Sequence, residues 1–267
     1  MAGARDIFIR SRGHFGRFVD AQTNSAEASL PVTHTTDAFD FRDISSDGEV
    51  RPRHCGNFDI DLFYCFYGRP AYRKNGSVQA NSLAAYAPIV FLFKPDVLRG
   101  AAVAFPFDSG AFKGELYSDL THHRMQVEDF AFEPTTEQIG KIIAFFYGDD
   151  KRYFDQVPAR TKKLARNEFE ASSYQELTLY KGKNERDDRS TTIEILFERA
   201  IRLRENLLAI VVPASFLKDN KVKEAIARLD VHTLPYTDGV NLTPGSQIPR
   251  LCDIVRNFYI KQSLMRK

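Results

Sequence analysis

Three short stretches carry the residue types that chemistry needs: a histidine at 34, an Arg- and Tyr-bearing turn at 69–73, and a glutamate at 194. His34 stands in V-T-H-T-T, at the end of a short extended run. From there it can donate a hydrogen bond from the rim of a cleft while the core fixes its strand. Read alone, it also fits a satisfied structural histidine, since this residue type is often partly buried. The second stretch, LFYCFYGRPAYR (62–73), runs from an aromatic β-rich segment into Gly68-Arg69-Pro70. Pro70 fixes its own φ and restricts its neighbour, which sets Arg69 on a rigid turn. Arg69 and Arg73 can offer planar donors to a diphosphate, and Tyr72 a ring for stacking. The other reading is a core strand followed by a solvated turn. In the third stretch, RSTTIEILF (189–197), alternation puts Thr192, Glu194 and Leu196 on one face. A carboxylate in so apolar a strand is costly unless it reaches solvent, a partner or a substrate. Arg189, Ser190 and Thr191 precede it and can hold neighbouring loops or a ligand.

These residues need elements to position them. Residues 1–20 read as a short helix or an arm, and 21–30 as a loop. A strand over 30–36 leads into a helix carrying Phe41 and Ile44, with Gly48 as its stop and an extended exit at 50–52. APIVFLFKPDVL (87–98) is a continuous apolar run, the pattern of a strand buried on both faces. A weaker strand is expected at 101–107 and an exposed loop at 110–120. A helix follows from Thr135, with Ile139, Ile142, Ile143 and Phe146 on one face, broken at Gly148-Asp149-Asp150. Strands are expected at 174–180 and 191–197, then at 207–213 and 231–236 around a helix at 222–229. An amphipathic helix over 247–265 closes the chain. Short strands with irregularly inserted helices make this an α+β protein rather than a doubly wound sheet.

The bulk properties narrow the function classes. Among 267 residues are 22 Phe, 11 Tyr and no Trp, so the core is expected to be aromatic. The formal charge of +2 creates no global field toward nucleic acid or membrane. Cys55, Cys65 and Cys252 lack C-x-x-C spacing, and their odd number argues for a reducing compartment. No apolar run approaches the roughly 20 residues that span a bilayer, and the first residues show no signal-peptide pattern. A cytoplasmic protein without a membrane partner is expected. There is no P-loop, no G-x-G-x-x-G after a strand and no G-x-S-x-G elbow. The adjacent His122 and His123 diverge too much to chelate one metal and read as surface residues, and Asp149-Asp150 and Asp187-Asp188 read as solvated loop charges.

The order of the three stretches resembles the ADP-ribosyltransferase fold, most nearly the bacterial DNA-targeting ADP-ribosyltransferase toxins and their relatives. The likeness rests on H-x-T at 34–36, the helix ending at Gly48, the aromatic strand and proline turn of LFYCFYGRPAYR, the apolar strand PIVFLFKPDVL, and a later strand bearing Glu194. It covers about residues 30–200 of a single domain spanning 1–267, with 207–267 as additional strand and helix elements. The resemblance implies split sheets of short strands with peripheral helices. It implies NAD as substrate and no metal, with His34, Thr35, Arg69, Tyr72 and Arg73 as NAD-binding residues and Glu194 and His34 as catalytic ones. The product side would be free nicotinamide and an ADP-ribosylated nucleic acid or protein, as for a toxin or defence effector, which leaves room for an inhibitory partner. The Ser-Thr-Ser signature of toxin-type transferases is absent. No Glu-x-Glu or Gln-x-Glu pair occurs at Glu194, which points away from arginine- or asparagine-directed protein modification. Two alternatives stand beside this reading: an NAD glycohydrolase of the same fold, and a non-catalytic module binding nucleic acid or protein.

Overall fold

The structure, a computed structural model, describes residues 13–72, 83–180, 188–237 and 243–266. In chain order its helices and strands begin with α1 (His14–Asp20), β1 (Val32–Asp37), α2 (Ala38–Asp47), β2 (Glu49–Val50), β3 (Arg53–Cys55) and β4 (Ile60–Tyr67). Then come β5 (Pro88–Phe93), β6 (Val103–Phe105), α3 (Ser109–Lys113), α4 (Thr136–Phe146), α5 (Asp150–Phe154) and α6 (Phe169–Leu179). The remainder is β7 (Glu194–Phe197), β8 (Ile201–Arg202), α7 (Leu203–Asn206), β9 (Leu207–Pro213), α8 (Asn220–Ala227), β10 (His232–Tyr236) and α9 (Ile248–Lys261). This is a mixed α and β architecture of mostly short strands. Its residues group into two compact units, one made of Met1–Ser29, Pro52–Tyr67 and Leu98–Glu198, the other of Leu30–Arg51, Gly68–Val97 and Arg199–Lys267.

In the first unit β7 lies between β4 and β6, antiparallel to both, with Glu194 opposite Phe66 on one side and Phe105 on the other. β3 pairs antiparallel with the start of β4. Flanked on both edges, every residue of β7 is buried. The core is aromatic, as the composition predicts. Phe15 of α1 packs edge-on to Tyr174 of α6 with ring centroids 5.5 Å apart, and Tyr174 meets Phe146 of α4 at 4.8 Å. Such edge-to-face contacts add to the area that the rings bury.

Two expected elements are corrected here. The segment 174–180 belongs to helix α6 rather than to a strand. Ala171, Tyr174 and Leu177 recur every three residues and are all buried, so the helical period carries the segment once its start at Phe169 is included. The expected loop at 110–120 begins as helix α3, because the Asp108 side chain accepts from Ala111 N–H at 2.8 Å and caps it.

The second unit holds a mixed sheet in the order β10, β9, β5, β1. β10 and β9 are parallel, joined through α8, whereas β5 is antiparallel to β9 and to β1. All six residues of β5 are buried, as a strand covered on both faces requires. Helix α2 follows the sequence expectation closely. The Asp37 side chain accepts from Asp40 N–H at 3.0 Å, Phe41 and Ile44 are buried, and Gly48 ends the helix with φ 72°. Only glycine takes that left-handed cap freely. Cys55, Cys65 and Cys252 are free and buried.

Candidate functional site

Glu194 opens β7 at the end of a segment that tyrosines hold by its backbone. Ile193 N–H donates to the Tyr153 hydroxyl at 2.9 Å, and that hydroxyl donates to Tyr67 O at 3.1 Å. Tyr67 N–H returns to Ile193 O at 2.9 Å. Two residues before Ile193, the Tyr147 hydroxyl donates to Thr191 O at 3.1 Å. The buried rings thus spend their polar ends on the peptide groups that aim Glu194, which is how a tyrosine is accommodated in a core.

The Glu194 carboxyl is 2% exposed and accepts from Ser109 N–H at 3.0 Å. Beside it Asp108 pairs with Arg189 at 3.0 Å, and Asp108 N–H donates to Arg189 O at 3.1 Å. Burial, reinforced by the Asp108 charge, pushes Glu194 well above the usual carboxylate range, while Ser109 and Arg189 pull the other way. Two acids share one guanidinium, and the deeper acid holds a proton most easily. The Ser109 hydroxyl lies beside the carboxyl and favours its ionised form, yet its oxygen meets no partner of hydrogen-bond geometry. Asp108 and Ser109 were missed by the sequence reading. The signal was available in the Asp-Ser-Gly following the β6 run, an N-cap pattern.

The histidine group lies in the second unit. His34 is half-buried on β1, opposite Phe91 of β5, with ring centroids 6.2 Å apart. Its neighbour Thr33 is fully buried and donates to Arg69 O at 2.8 Å, which fastens the Gly-Arg-Pro turn to β1. The turn has two more anchors: Gly68 N–H donates to Pro31 O at 2.9 Å, and the Tyr259 hydroxyl donates to Gly68 O at 2.8 Å. Thr35 Oγ1 is buried without a hydrogen-bond partner among the described residues. Tyr72 is half-buried, and its phenol is pushed up to about 12 by burial and by the nearby charges of Asp37 and Asp40. Those acids make Tyr72 a poor neighbour for a phosphate.

His34, Thr35, Arg69 and Tyr72 therefore share the second unit, Glu194 belongs to the first, and Arg73 lies outside the described residues. Asp149 and Asp150, expected to be solvated loop charges, are not equivalent. Asp149 is exposed and caps α5 through Arg152 N–H at 2.8 Å. Asp150 accepts from the Tyr67 hydroxyl at 3.2 Å and from Ser29 N–H at 3.4 Å, and burial raises it to about 7, the largest cause being desolvation. The correction has a simple origin: those two donors let the chain fold over a carboxyl that the sequence pattern left in water.

No protein-family model, curated protein or solved structure matches this chain. Among the described residues no helix is long and apolar enough to cross a membrane.

Proposed function

We propose that the protein is an NAD-consuming ADP-ribosyltransferase, a toxin or defence effector that modifies nucleic acid or protein and releases nicotinamide. The observation that carries the reading is Glu194: a strand carboxyl aimed by its own backbone anchors, held by Ser109 N–H, and set beside Arg189. A second support is the shared placement of His34, Thr35, Arg69 and Tyr72, tied together by the Thr33 to Arg69 hydrogen bond.

On this reading the bond between the ribose C1′ and the nicotinamide nitrogen breaks, and its electron pair neutralises the pyridinium. Positive charge builds on the ribose. Glu194, acting as the carboxylate, stabilises it and accepts a hydrogen bond from the 2′-hydroxyl, which is the transition-state-selective kind of electrostatic help. The acceptor nucleophile then bonds to C1′, and its proton passes to the carboxylate. Arg69 would meet the diphosphate, His34 the ribose and Tyr72 the nicotinamide ring.

A second reading draws on the 2% exposure of Glu194, which suits a purely structural carboxyl in a non-catalytic binding module. One experiment separates them: NAD consumption and nicotinamide release by the wild type, Glu194→Gln and His34→Ala, with DNA, RNA, cell lysate or water as acceptor. Turnover lost in both folded variants supports the transferase, and turnover with water alone identifies a glycohydrolase. Absence of NAD binding and of turnover with every acceptor overturns the enzymatic reading.

A further inference from the structure

The first unit contains a cavity of about 680 Å³, a size typical of small-molecule sites, that the transferase reading does not use. Helix α6 forms one wall. His14 of α1 and residues from the 120–129 segment form much of the rest. Leu120, Met125 and Phe169 supply apolar surface, Phe169 being 59% exposed.

Glu170 is the residue that needs explaining. It lines the cavity, is only 8% exposed, and makes no hydrogen bond or ion pair with any described residue. A carboxylate this enclosed, whose oxygens reach only the solvent of the cavity, bears part of the cost of burial without a counter-charge. Its place in the first turn of α6 offsets part of that cost through the helix dipole, but supplies no counter-charge. One turn further on, Ser173 is also 8% exposed and donates only to Met125 Sδ at 3.7 Å, a weak acceptor. Residues three apart share a helix face. An uncompensated acceptor and an under-used hydroxyl thus face one space. Around them, among the described residues, stand Glu176 and Asp129 against the cation Arg124. Among the described residues no three of His, Cys, Asp and Glu converge as metal ligands.

We propose that this cavity binds a small organic amine, its ammonium seated on Glu170 and Ser173 and its apolar body against Phe169, Met125 and Leu120. The ammonium provides the missing counter-charge, and its three donors suit two acceptors side by side. The proposal is independent of the NAD reading, since none of these residues belongs to the Glu194 or His34 groups.

The test is isothermal titration of the full chain at neutral pH with phenethylamine, with 2-phenylethanol as the neutral counterpart and 3-phenylpropionate as the anionic one. The amine is expected to bind in the millimolar range or tighter, with the alcohol and the acid weaker by at least about tenfold. Glu170→Gln, nearly isosteric, is expected to weaken the amine about tenfold and leave the alcohol unchanged. Equal binding of amine and alcohol to the wild type overturns the proposal without needing a variant, as does no detectable amine binding. Unchanged amine affinity in a folded Glu170→Gln protein overturns it as well.

Discussion

Replacing Asp150 by Asn should change how stability responds to pH more than stability itself. The carboxyl titrates near 7 in the folded protein, against an ordinary value of 3.8. Between those values the folded chain binds a proton that the unfolded chain has released. Stability therefore falls as pH rises through this window and levels off above the folded value. Each unit of displacement is worth about 1.4 kcal/mol, so the displacement of about 3 units sets a ceiling of about 4 kcal/mol for the whole titration. Asp150 is half-buried, and water on its open side lowers that ceiling. Over the part of the window between about pH 5 and pH 7, the wild type should lose about 2 kcal/mol that the variant keeps. Asparagine retains the shape and an oxygen able to accept from the Tyr67 hydroxyl, so the two proteins should be nearly equal at the acidic end. The assay is urea unfolding of both proteins across that range at constant ionic strength, read as the difference in free energy so that the other titrations cancel. A difference that stays flat across the range, or that favours the wild type increasingly toward pH 7, would refute the argument.

Two further substitutions probe the turn and the acid cluster. Gly68→Ala forces an L-residue to φ 69° and brings its Cβ to 2.7 Å from Leu30 Cδ1, so a loss of about 2 kcal/mol or more is expected in urea unfolding. Gly48→Ala, at φ 72° with nothing within 4 Å, should cost only the backbone strain of about 1 kcal/mol; equal losses at the two sites would show that Leu30 does not matter. Arg189→Met strands Asp108 in the interior and should cost about 3–5 kcal/mol, whereas Glu194→Gln should be close to neutral near pH 7. Calorimetric or denaturant unfolding of both variants checks this, and the reverse order would mean that Glu194 is ionised and paired in the resting protein.

Legibility in the sequence followed the range of the forces involved. Helix α2 was readable because everything that makes it is local: the Asp37 cap, the Phe41 and Ile44 spacing, and the Gly48 stop. β5 was readable because six consecutive apolar residues leave few alternatives. The segment 174–180 was misread because the window omitted Ala171 and the polar start of α6, leaving a fragment in which Leu177, Thr178 and Leu179 imitate alternation. Asp150 shows a different limit. Its donors, Tyr67 and Ser29, lie 83 and 121 residues away, and no local pattern encodes such a meeting. The same holds for the Ser109 N–H that meets Glu194 across 85 residues. The sequence marked Glu194 as anomalous, and only tertiary structure supplied what surrounds it.

What surrounds Glu194 serves the fold and the proposed chemistry differently, and the difference lies in its charge. As a structural group it is best neutral, since two acids beside one guanidinium cannot both be ionised cheaply in a buried site. In that role glutamine replaces it with little loss. As a catalytic group it must be ionised at the moment positive charge forms on the ribose, when an adjacent cation offsets the cost of burial. A carboxyl whose ionised form burial disfavours gains most from positive charge placed beside it, and charge moving from the pyridinium onto the ribose places it there, which is what acceleration requires. The Glu194→Gln protein therefore carries more information than an alanine variant. It preserves the packing and the Ser109 contact while removing the ability to ionise, so stability reports the first role and NAD turnover the second.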